Sequence, residues 1–125
     1  MVREHSQAIG SFLGIFVGED GLFDASRVAE ALRWNQEDIA GYLGKTPGAV
    51  SKNPTSATSQ DALARLAAFV QHAYELNAHN MGLTVAWLRT PIRALDNKAP
   101  KQLITEQRLD VVENLLREME TGLAL

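Results

Sequence analysis

The stretch QEDIAGYLGKTPGAVSKNP, residues 36–54, decides how the chain folds. Ile39, Ala40 and Leu43 recur at helical spacing, and Gly44 supplies the left-handed residue that closes a short helix over Gln36–Leu43. Thr46 and Pro47 restart the chain, because threonine accepts from freed amides and proline's fixed φ suits the first helical position. The second helix cannot pass Asn53, since Pro54 has no amide hydrogen and disfavours helical geometry in the residue before it. A small residue where two helices approach (Ala40), a glycine at the turn (Gly44) and an apolar lock on the second helix (Val50) make the pattern of a helix-turn-helix. An αα-corner with no DNA role shares much of it.

In a DNA-reading pair, Lys45, Thr46, Gly48, Ser51 and Lys52 face outward, with Thr46 and Gly48 at the end that enters a major groove. Hydroxyls can pair with base edges, and the lysines suit phosphate or guanine. The charge balance runs against this. Across the 125 residues there are 12 basic and 15 acidic side chains, a net charge of −3. Between Asp24 and Gly82 five basic residues face six acidic ones, so one copy binds DNA weakly and two copies on a palindrome gain from effective concentration, by ~100-fold or more where geometry allows.

Working outward, every periodic stretch is helical. Asp24 caps a helix bearing Val28, Ala29 and Leu32. TSATS (55–59) is a linker or an extended cap, and Thr58 or Ser59 caps a long central helix over about residues 60–80, striped by Leu63, Leu66, Ala67, Val70, Ala73 and Tyr74, with Asn80 and Gly82 as its stop. TVAWLR (84–89) is a brief helix ending at Thr90-Pro91, PIRALDNKAP (91–100) is an ordered loop, and Pro100 begins one more turn. Thr105 caps a last helix with Leu109, Val112, Leu115, Leu116 and Met119 on one face, stopped by Gly122. Alternating runs rich in β-branched residues are missing, so the fold class is all-α. The chain divides into an N-terminal helical segment (1–22), the helix-turn-helix region with the long helix (23–80), and a C-terminal part (81–125).

Composition excludes several kinds of chemistry. Without cysteine there is no disulfide, thiolate metal site or cysteine nucleophile, which fits a cytoplasmic protein. The apolar run AIGSFLGIFV (8–17) is about half a bilayer span and is followed by GEDG, so it reads neither as a membrane helix nor as a signal peptide. Its part Phe12 to Val17 is a candidate dimer surface, or else a cover for the core. His72 and His79 lack a third ligand, Asp110 and Glu113 read as a solvated pair, and Gly41, Gly44 and Gly48 are not a phosphate loop. No catalytic, cofactor or metal site is expected, and Trp34 and Trp87 read as packing anchors, Trp87 holding the loop to the long helix.

The segments MGLTVAWLRTPIRALDNKAPKQLI (81–104) and VVENLLREMETG (111–122) are the most distinctive. Trp87, Leu88, Thr90, Pro91, Ala94, Leu95 and Pro100, then Val112, Leu115, Leu116, Met119 and Gly122, resemble the toxin-binding domain of Xre/MbcA/ParS antitoxins, and the helix-turn-helix is Xre-like. Many sequences of that family carry glycines where Asp96 and Asn97 stand, and a small residue near Gln107 or Arg108.

The resemblance implies an antitoxin encoded beside a RES-domain toxin, an enzyme related to ADP-ribosyltransferases that attacks NAD. It also implies obstruction of the toxin's active site and repression of the protein's own promoter. The residues that suit a plug are Arg89, Arg93, Asn97 and Lys98 in the proline-bounded loop and Gly122, Leu123 and Leu125 in the tail. Deleting residues 123–125 is expected to weaken neutralisation. Two other readings stay open: a transcription regulator without a toxin, and an interaction module with a vestigial helix-turn-helix, which Asn53 and Pro54 favour.

Overall fold

The computed structural model describes residues 12–122. Seven α-helices follow one another in this part: α1 (Ala25–Leu32), α2 (Gln36–Leu43), α3 (Pro47–Lys52), α4 (Gln60–Leu76), α5 (Met81–Leu88), α6 (Pro100–Thr105) and α7 (Leu109–Thr121). Extended backbone among the described residues pairs only at two isolated bridges, Val17 with Phe23 and Ile92 with Lys98. The all-α expectation holds.

Local chemistry sets most of the helix ends. Asp24 accepts from Ser26 and Arg27 amides at 2.8 and 3.3 Å. At α2 the signal is stronger than the sequence suggested: Asn35 accepts from the Asp38 amide at 2.8 Å while the Asp38 carboxylate accepts from the Asn35 amide at 3.0 Å. This reciprocal capping satisfies two donors that the first turn leaves free. Thr46 accepts from the Ala49 amide at 3.1 Å ahead of Pro47.

Three expected boundaries are corrected. The central helix stops at Leu76, because Ala78 and His79 both turn left-handed (φ 59 and 58). Asn80 then starts α5 instead of ending α4, accepting from the Leu83 amide at 2.9 Å, and Gly82 lies inside α5. At the start of α4, neither Thr58 nor Ser59 caps: Ser56 caps the short 3-10 turn Ala57–Ser59, and the Ser59 hydroxyl is engaged elsewhere. Thr105 is the last residue of α6 and donates to the Gln102 carbonyl at 3.1 Å, while α7 starts after Gln107 (φ 64) with no side-chain cap.

The core is continuous through all three sequence regions. Leu63, Leu66, Ala67, Val70 and Ala73 of α4 are fully buried, and around α4 pack α1, α5 and α7. α6 lies instead on α2 and α7, and its Ile104 has no exposed surface. Phe16 also belongs to this core. Its ring meets Phe12 edge-on at 5.5 Å, and Phe12 stacks on Tyr74 at 4.5 Å. From Phe12 the run packs against the core through Phe12, Leu13 and Phe16, while Ile15 shows substantial apolar area. Residues 1–11 of the N-terminal segment lie outside the described part.

The two tryptophans differ. Trp34 is buried, with an indole N–H that meets no acceptor among the described residues. Trp87 is half-buried on α5 beside Phe69 of α4, ring centres 6.4 Å apart, so the contact it makes with the long helix is α5's and not the loop's. Among the described residues, no helix is long and apolar enough to cross a membrane.

Candidate functional site

Two surfaces bear on function, the α2–α3 pair and the α5–α7 part with its loop. In the first, Ala40 and Val50 are buried between the helices, and Gly44 closes α2 in the left-handed region (φ 68), its amide directed to the Ala40 and Gly41 carbonyls. A side chain at Gly44 would be strained by this φ, and its Cβ would stand 2.7 Å from the Gln107 amide nitrogen. Val50 is the one buried residue of α3; Thr46, Gly48, Ser51 and Lys52 are exposed, with the Ser51 hydroxyl donating to Gln36 at 3.3 Å.

Lys45 leaves that outward set. Its ammonium donates to Thr58 and Ser59 hydroxyls, both at 2.7 Å, and lies 3.4 Å from Ser56. The three hydroxyls come from the TSATS linker, so Lys45 fastens the turn to the start of α4 in place of presenting charge to phosphate. The exposed cation on α3 is then Lys52. Nearby, Lys101 of α6 pairs with Asp38 at 2.9 Å, which neutralises an acidic residue in the first turn of α2.

The loop between α5 and α6 is tightly turned. Thr90 donates back to the Ala86 carbonyl at 2.7 Å, Arg93–Leu95 makes a 3-10 turn, and the Ile92–Lys98 bridge closes the loop. Asp96 and Asn97 between them both sit at φ 63. These are the positions at which the resembling family carries glycine. Asp and Asn are the side chains that best tolerate the left-handed region, so the departure keeps the turn. Gln107 also takes a positive φ, 64.

The loop's expected plug residues separate. Arg89 is bound, its guanidinium donating to the Arg33 carbonyl at 2.8 Å and so tying α5 to the end of α1. Arg93, Asn97 and Lys98 are exposed, and Gly122 ends α7 at φ 79. Leu123 and Leu125 lie outside the described residues. Between the loop and α7 runs a groove of about 550 Å³ whose floor includes Ala94, Leu95 and Val111, and a second hollow of about 320 Å³ shares those three residues. Arg117 borders the first; Arg93, Lys98 and Arg108 border the second. Sequence reasoning missed Arg108 and Arg117. The available signal was their spacing from Val111 on α7, legible only once the loop is known to lie along that face.

A small polar cluster joins α2, α4 and α7. Arg65 clasps Glu113 through two bonds of 3.1 and 2.6 Å, so Glu113 is not the solvated half of a pair with Asp110. Burial pushes the Tyr42 phenol up from 10.0 to about 12, nearby Arg65 opposes the shift and Glu113 adds to it; the hydroxyl donates to the Ala62 carbonyl at 2.6 Å. Because the folded value is raised, the contribution is complete below pH 10 and is lost as pH climbs toward about 12. Stability followed by urea titration should fall by on the order of 2 kcal/mol across that window. Tyr42→Phe should flatten the tyrosine-dependent part of the fall. His72 faces Glu120 at 3.4 Å, His79 packs edge-on against Tyr74, and no cluster able to hold a metal occurs among the described residues.

Residues 80–122 match the family model described as the antitoxin Xre/MbcA/ParS C-terminal toxin-binding domain. The match begins at the Asn80 cap of α5 and ends at Gly122, so it takes in the loop, the groove and α7. It supports an antitoxin role with a toxin as partner. No curated protein and no solved structure matches the chain.

Proposed function

We propose that this protein is the antitoxin of a type II toxin–antitoxin pair, working by occupancy and without catalysis of its own. The observation that carries the proposal is that the matched segment, 80–122, holds a loop that offers exposed Arg93, Asn97 and Lys98 on a turned, proline-bounded backbone. Such a loop loses little conformational freedom on docking. The partner proposed is a RES-type toxin that degrades NAD or transfers its ADP-ribose, with the loop and the tail from Gly122 through Leu123 and Leu125 reaching its cofactor cleft.

Co-expression with the product of the adjacent reading frame tests this. Co-purification and relief of that product's toxicity are expected; a neighbour that is harmless, or that is neither bound nor silenced, would overturn the assignment.

Autoregulation is proposed for α2 and α3. Support comes from the outward Thr46, Gly48, Ser51 and Lys52, on a helix that spends only Val50 on the core. With Lys45 committed to the linker, a single copy brings even less charge to a duplex than the sequence suggested, so operator binding belongs to a homodimer or to a larger assembly with the toxin in the cytoplasm. A mobility shift on the upstream DNA, with and without the toxin, is expected to show binding. The same exposed face supports the second reading, a transcription regulator without a toxin, which a gene neighbourhood lacking a toxin frame would favour.

A further inference from the structure

The protein as a whole is acidic, yet the groove formed by the two adjoining hollows between the 92–98 loop and α7, which share Ala94, Leu95 and Val111, is bordered by Arg117 in the first and by Arg93, Lys98 and Arg108 in the second, with Glu118 and Asp96 as the acidic neighbours. None of the four cations forms an ion pair among the described residues, where carboxylates elsewhere are taken by Arg65, His72 and Lys101. Arg117 is held by the Asn114 side chain, one turn back on α7. Between the cations the floor is apolar, with Leu95 buried and Val111 half-buried.

Concentrated positive charge over an aliphatic floor suits one kind of occupant. We propose that this groove receives an acidic segment of the toxin, with aliphatic side chains on the floor and carboxylates against the four cations. The proposal rests on the antitoxin reading and names the chemistry of its interface. Polyphosphate would use the cations but leave the floor uncovered, so a protein segment fits the surface better than a duplex does. Arg108 and Arg117 thereby join the loop residues in partner recognition. Complementary charge of this kind speeds encounter and excludes wrong partners, and makes the association sensitive to salt.

The test measures binding of the full chain to the purified product of the adjacent toxin frame. Reversing two cations (R93E with R117E) is expected to weaken binding by ~30-fold or more, and the lysine pair R93K with R117K to retain most of it. Ala94→Trp, which fills the groove without changing charge, should weaken it similarly. Arg27→Glu on α1 serves as the charge control and should leave binding unchanged, and circular dichroism confirms that each variant folds.

Wild-type chain that fails to bind overturns the antitoxin reading and this proposal with it. Wild-type binding matched by the reversal and the Trp variants overturns the groove alone. Partner binding kept while upstream DNA binding is lost would assign the cations to phosphate and also overturn it.

Discussion

Phe16→Ala is expected to destabilise the protein by ~3–5 kcal/mol without changing its molar mass in solution. The side chain has no exposed surface, is clamped against Phe12 and, through it, Tyr74, and lies beside α1 in the common core. Removing it leaves a cavity that the flanking aromatic rings can only partly close. Denaturant unfolding gives the free-energy loss, and light scattering at matched concentration gives the mass. A nearly unchanged stability together with a fall from two chains to one would return Phe16 to an interface between copies.

Ile104→Ala should lower stability by ~2–5 kcal/mol and do so for the whole molecule. Ile104 is fully buried on α6, which packs on both α2 and α7. The substitution falls in the matched C-terminal segment, yet the helix that carries it also packs on α2. Tryptophan fluorescence reports on Trp34 beside α2 and Trp87 on α5, and far-ultraviolet dichroism on all helices. The two probes are expected to give one coincident transition, shifted to lower denaturant. Separate midpoints, with the Trp34 signal unmoved, would show that the two regions unfold independently.

Legibility in the sequence followed the range of the forces involved. α2 and α3 appear where the 36–54 stretch places them, because glycine, threonine and proline act within a few residues. The boundaries around Asn80 and Thr105 were misplaced for a related reason: an Asn can stop one helix or start the next, and only the left-handed Ala78 and His79 settle which. The bonds of Lys45, Arg89 and Glu113 were not foreseen because their partners lie 13, 56 and 48 positions away. Periodicity cannot pair side chains over such separations. The same limit concealed Arg108 and Arg117, whose common border with Arg93 and Lys98 exists only after the loop folds along α7.

Among the described residues, three polar ties join the α1–α2 segment to the C-terminal part: Arg89 to the Arg33 carbonyl, Lys101 to Asp38, and Gln107 to the Gly41 carbonyl at 3.3 Å. Gly41 lets α2 and α6 approach closely, since a Cβ there would stand 3.1 Å from the Thr105 carbonyl oxygen and the neighbour would have to give by a few tenths of an ångström. A passenger held by the loop and α7 would accordingly ride at one angle to any duplex held by α3. Whether neighbouring passengers then fit side by side along an operator, or collide, becomes a matter of fixed steric bookkeeping, set by the spacing of the half-sites.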